Sequence, residues 1–203
     1  MNTFHENKTM LSKLAGMMFF VLSVLLITGC SDTGAAEETD KSKEAIQAVI
    51  EEEFNGPDET YIELSNTAME LQQEAQNQEE YDVYLQSPEY QEWEDYMADT
   101  YAAYFTEDGY EDFLNVTPAY FYSHYEHDYN MSTSDIEITR SEKNPKIYRF
   151  TFTVEYESGN SGAEQYDLEG EAITTEEGKI ERIMYGDRGE LRQRLSDDSN
   201  NQN

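Results

Sequence analysis

Three kinds of side chain in this sequence could carry chemistry: a lone thiol, a few imidazoles, and a large excess of carboxylates and phenols. Cys30 is the only cysteine, which excludes a disulfide framework and any multi-cysteine zinc or iron–sulfur site. His124 and His127 stand three residues apart with Glu126 and Asp128 beside them. On a helix that spacing shares a face, and a metal could sit between the rings if the fold supplied further ligands. The same spacing also suits two surface imidazoles at a helix end, where positive charge is welcome. Asp128, Asn130 and Ser132 alternate as in a calcium loop, but Thr133 replaces the turn Gly and Thr139 the bidentate Glu, which removes that reading. No Gly-rich phosphate loop, G-x-S-x-G elbow or H-E-x-x-H motif occurs, and the sequence calls for no cofactor.

The carboxylates are unevenly placed. The 203 residues hold 44 Asp and Glu against 13 Lys and Arg, a net charge of −31. Nucleic acid is excluded as a partner, because phosphate binding needs clustered Lys and Arg. The overall charge also argues against electrostatic docking on anionic lipid. From Glu44 to Glu137 there are 25 acidic residues and no Lys or Arg, and 12 of the 16 Tyr lie in the same half of the chain. From Arg140 onward there are 9 basic and 14 acidic residues. Such self-repulsion costs stability. A saline medium that screens the surface accounts for it, as does a cationic partner: a basic protein, a polyamine or weakly held divalent ions. Tyr beside carboxylates could bind quaternary ammonium groups by cation–π attraction, although Tyr at helical spacing serves equally as core.

The N-terminus reads as an address. Lys8 and Lys13 precede an apolar run from Met17 to Ile27, followed by Ile27-Thr28-Gly29-Cys30. A positive segment, an apolar stretch of about 7–15 residues and small residues before a cut site make a secretory signal. The run is short for a transmembrane helix, which needs roughly 20 residues. Thr28-Gly29-Cys30 resembles the lipobox of bacterial lipoproteins, with Ile27 where Leu is commoner. The resemblance implies a diacylglyceryl group on the Cys30 thiol, cleavage before it and acylation of the new amino terminus. Two or more acyl chains anchor stably where one does not. The expectation is residues 1–29 as signal, 30–42 as lipidated Cys and flexible tether, and a protein held on the outer face of the cytoplasmic membrane.

The elements that must position any site follow from the pattern. Ala45, Ile46, Val49, Ile50 and Phe54 have helical spacing, stopped by Asn55-Gly56-Pro57. Asp58 caps a second helix carrying Tyr61, Leu64, Ala68, Leu71 and Ala75. Ser87-Pro88 opens a third, with Trp93, Tyr96, Met97, Tyr101, Tyr104 and Phe105 on one face, ending near Asp108-Gly109. Thr117-Pro118 repeats that start signal before Tyr120, Phe121, His124 and Tyr125. From about Asp135 the period becomes two, through Ile136 and Ile138, then Tyr148 to Tyr156, then Tyr166 to Ala172, then Lys179 to Tyr185. A short helix closes within residues 186–195, and 196–203 reads as a disordered tail. The fold class is α+β, with helices packed on an antiparallel four-stranded meander.

That order resembles the NTF2-like (cystatin-like cone) superfamily, and more narrowly small lipoproteins of Bacillus-type bacteria that carry such a domain. The residues behind the resemblance are the Phe54-to-Asp58 junction, Tyr104-Phe105-Thr106, the Tyr148-to-Tyr156 strand, Gly178-Lys179-Ile180 and Tyr185-Gly186-Asp187. It covers roughly residues 43–195, with extra helix where the superfamily has an early hairpin. It implies a cone whose inward residues would include Trp93, Tyr101, Tyr148, Tyr156 and Tyr166. The superfamily hosts binding domains, isomerases and dehydratases, so fold alone does not choose among them. The leading expectation is a non-enzymatic lipoprotein domain that binds a partner or small ligand. The alternatives are a ketosteroid-isomerase-like cone-pocket enzyme, built on a buried carboxylate with phenol donors, and a weak divalent-cation binder.

Overall fold

The computed structural model describes residues 40–116, 123, 125, 128–159, 162–186 and 189–201. Cys30 with the signal, His124, His127 and most of the Thr117-to-Tyr125 segment lie outside the described residues. The described residues from Asp40 onward form one compact unit.

Helix α1 spans Lys41–Phe54, and its Ala45, Ile46, Val49, Ile50 and Phe54 are all buried. Asp40 caps it, accepting from the Ser42 and Lys43 amides at 3.1 and 3.4 Å. Its end is fixed from outside. Asn55 Oδ1 accepts from Thr133 N at 2.7 Å, and Gly56 exchanges two backbone hydrogen bonds with Met131. Helix α2 (Glu59–Glu74) starts at Asp58, which accepts from Tyr61 N at 2.7 Å and from the Tyr96 hydroxyl at 2.8 Å. Helix α3 (Gln78–Tyr84) opens at Asn77, which accepts from Glu80 N, while the Glu80 carboxylate accepts from Gln76 N, one residue before the cap. Helix α4 (Pro88–Tyr101) has Ser87 as cap and Pro88 at its first position.

Strands β1 (Tyr129–Arg140), β2 (Ile147–Ser158), β3 (Glu164–Glu176) and β4 (Lys179–Tyr185) form one antiparallel sheet in the order β1-β2-β3-β4. This is the α+β arrangement that the NTF2-like resemblance implies, with α1 laid on one face of the sheet. Tyr148, Phe150, Phe152, Val154 and Tyr156 fill that face from β2. Phe54 meets Phe152 and Tyr185 edge-on, with ring centroids 4.9 and 5.1 Å apart. The opposite face is polar and carries Glu137, Arg149, Thr151, Glu169 and Glu171 around a shallow groove of about 560 Å³.

Four expectations need correction. First, α4 ends at Tyr101 and turns through a 3-10 segment, Ala102–Tyr104; Asp108-Gly109 lies inside a further helix, α5 (Glu107–Val116). Thr106 caps it, accepting from Gly109 N at 3.1 Å. Gly109 is there because a Cβ would come within 2.5 Å of Ile180 O, so it marks a close approach to β4 instead of a helix stop. Second, α3 was absent from the sequence pattern. Third, β1 begins at Tyr129, six residues before Asp135, with Tyr129 and Met131 buried. A bulge between Ser134 and Glu137, with Asp135 at φ 51°, shifts its register and hides the alternation. Fourth, the closing helix α6 (Gly189–Asn201) covers most of the segment expected as a disordered tail. Arg194 pairs there with Asp198 and with Glu164 of β3, and the Tyr156 hydroxyl donates to Asp198 at 2.7 Å.

Candidate functional site

The five aromatic residues expected to share a pocket are spread over the domain. Tyr148 sits at the turn end of the sheet, and its hydroxyl donates to Asp40 at 3.0 Å. Tyr156 and Tyr166 come together near α6, where Arg194 lies 5.9 Å from the Tyr156 ring centroid and Tyr166 donates to Glu164 at 2.7 Å. Tyr101 is fully buried between the helices. Trp93 is half-buried beside Tyr90, at 5.7 Å, and its Nε1 is enclosed without a hydrogen-bond acceptor. Of the five, Tyr156 and Tyr166 are brought together; the others serve separate contacts.

Burial pushes the phenols upward. Tyr156 is raised to about 12, first by desolvation, then by hydrogen bonding and repulsion from Asp198, with Arg194 and Ser158 pulling the other way. Tyr110 reaches about 12 through desolvation and the charge of Glu94. The unfolded phenols lose their protons near 10, while the folded ones keep them to about 12. Their contribution is therefore fully present below pH 10 and is lost as pH rises through 12. Urea midpoints measured from about pH 9 upward should fall beyond 10, and Tyr156→Phe should flatten that fall. A midpoint constant through this window would contradict the assigned burial.

Sequence reasoning passed over Glu53. It is the one buried carboxylate among the described residues, 5 % exposed, and it accepts from the Tyr101 hydroxyl at 2.8 Å. Its phase gives the signal: Ile46, Val49, Ile50, Glu53 and Phe54 share one stripe of α1. Tyr61 is close enough for the Glu53 charge to raise its pKa, after desolvation.

A second candidate lies at the elbow of α2 and α3. Leu71, Ala75 and Tyr84 line a groove of about 550 Å³, together with the exposed Val83 and with Glu74, Glu79 and Glu80. Tyr81, Tyr84, Tyr90 and Trp93 continue from it in unbroken ring contact, at 5.6, 5.0 and 5.7 Å. Aromatic faces next to carboxylates, with no cation of their own nearby in sequence, attract amphipathic cations. Among the described residues, no three His, Cys, Asp or Glu side chains are grouped to hold a metal ion, and no helix is long and apolar enough to cross a membrane.

No family profile and no curated protein matches this chain. Among solved structures, it is similar to one described as a "putative polyketide cyclase" from Xanthomonas campestris pv. campestris. The two are 16% identical, over 67% of this chain and 97% of that one, with a TM-score of 0.29. At that score the likeness carries no argument about what this chain does.

Proposed function

We propose that this chain is a lipid-anchored extracytoplasmic protein whose single domain binds a basic, amphipathic partner at the α2–α3 elbow. The observation that supports it is the groove itself: Leu71, Ala75, Val83 and Tyr84 line it together with Glu74, Glu79 and Glu80, within a stretch of 94 residues that has no Lys or Arg. Charge complementarity brings such a partner in and sets its orientation, while apolar contact holds it. Anchoring is tested by clickable acyl chains, which should enter the wild type and not Cys30→Ala. Binding is tested with an amphipathic Lys/Leu helical peptide by calorimetry at low salt. Glu74→Lys with Glu79→Lys should weaken it about tenfold or more. Equal affinity in the variant, or none in the wild type, would refute the groove.

A second reading, a cone-pocket isomerase or dehydratase, is favoured by one observation, the buried Glu53 bonded to Tyr101. It requires a buried carboxylate that titrates above the ordinary range, which NMR would detect. Uniformly ordinary carboxylate titration would remove it.

A further inference from the structure

The basic residues, few as they are, collect at one place. Six of the eleven Lys and Arg from Asp40 onward are Lys41, Lys43, Arg140, Lys143, Lys146 and Lys179, drawn from three separate stretches of sequence. Antiparallel pairing puts the β1–β2 turn and the β3–β4 turn at the same end of the sheet. Thr174 N donates across the sheet to Lys146 O at 2.8 Å. Helix α1 starts at that end too: Asp40 accepts from Tyr148, and Ser42 Oγ accepts from Gly178 N at 3.1 Å. The Arg140 guanidinium lies 5.7 Å from the Tyr148 ring centroid.

Carboxylates share this end: Asp40, Glu44, Glu142, Glu176, Glu177 and Glu181, the last accepting from Thr175 at 3.2 Å. Asp40 is committed to Tyr148 and to the cap of α1, and Glu177 is paired with Lys41 at 3.7 Å. The end is thus close to neutral, with Arg140, Lys143 and Lys146 exposed. Elsewhere among the described residues, four basic residues face thirty-two acidic ones.

We propose that this end is the surface the domain turns toward an anionic lipid bilayer, with its acidic helices directed away. The proposal rests on the lipid-anchor reading above. The chain arrives at this end: Cys30 lies ten residues ahead of Asp40, so a bilayer holding it is within about 35 Å. Screening does the rest. The Debye length is about 10 Å at 0.1 M salt, whereas a 12-residue strand is about 40 Å long. Carboxylates at the far end barely feel the membrane, while the lysines at the near end interact with its headgroups. A net charge taken over the whole chain hides this polarity.

The test uses the full protein as processed in membranes, with a clickable acyl chain reporting Cys30. It is reconstituted in vesicles of phosphatidylcholine alone or mixed equally with phosphatidylglycerol. A fluorophore is placed at Ser141→Cys, in the β1–β2 turn, or at Gln78→Cys, at the start of α3, and quenched by headgroup spin labels. In the anionic vesicles, quenching at 141 should exceed that at 78 by about fivefold, roughly the effect of one lysine at the surface. Lys43→Gln with Lys143→Gln and Lys146→Gln, or added salt, should erase the excess. Equal quenching at the two positions, or an excess that ignores lipid charge and the triple variant, overturns the orientation while leaving the anchor intact. A Cys30 without acyl label overturns the anchor, and the orientation with it.

Discussion

Phe54→Ala should remove about 3–5 kcal/mol of folding free energy, a large share of the roughly 5–15 kcal/mol that a domain usually has. Phe54 is fully buried at the end of α1, and its ring bridges the helix to Phe152 on β2 and Tyr185 on β4. The cavity cannot easily close. The strands are held in register by β3, and the end of α1 is tied to β1 through Asn55 and Gly56. Each tie keeps the helix from sinking into the gap, so the lost transfer energy and the void add together. The measurement is urea unfolding with the slope unchanged and the midpoint lowered. A loss below about 1 kcal/mol would mean that α1 does not pack on the sheet through this ring.

Gly109→Ala should destabilise as well, by about 1–3 kcal/mol, although helix propensity alone predicts a gain of about 1 kcal/mol. The sign is the test. A Cβ at this position would come 2.5 Å from Ile180 O and 2.9 Å from Glu181 O, both main-chain atoms that cannot swing away. It would also press to 2.8 Å on the Thr106 hydroxyl that caps α5. Helix α5 would have to lift from β4, loosening Phe113 from its contacts with Phe105 at 4.6 Å and Tyr101 at 5.0 Å. Thermal unfolding reads the outcome, and a higher midpoint in the Ala variant would show that α5 does not approach β4 this closely.

Much of the secondary structure was legible because its signals are local. Asp58 and Ser87-Pro88 are caps whose partners lie three residues on, and the alternation from Tyr148 to Tyr156 is visible within nine residues. Strand β4 falls where the sequence puts it, from Lys179 to Tyr185. The failures are cases where a local signal meant something non-local. Asp108-Gly109 looks like a helix stop because Gly usually ends helices, yet here it answers to a strand seventy residues later. Helix α3 has seven mostly polar residues and little periodicity, although Asn77 caps it by accepting from Glu80 N. In β1 the bulge at Asp135 breaks the alternation, and Ser and Thr weaken it further.

The candidate site divides along the same line. By itself the sequence determined the α+β class, the acidic half without a Lys or Arg and the residues that could anchor it to lipid, since composition, caps and short periods are read within one turn or one strand. Tertiary structure alone decided that the buried Glu53 meets Tyr101, 48 residues away, and that of the five expected pocket residues Tyr156 and Tyr166 come together while the others do not. It also decided that lysines from three stretches meet at the end where the chain enters the domain. The physical reason is that burial, close approach and charge clustering depend on which segments the sheet and helices bring together, and contacts over such separations leave no mark on local spacing.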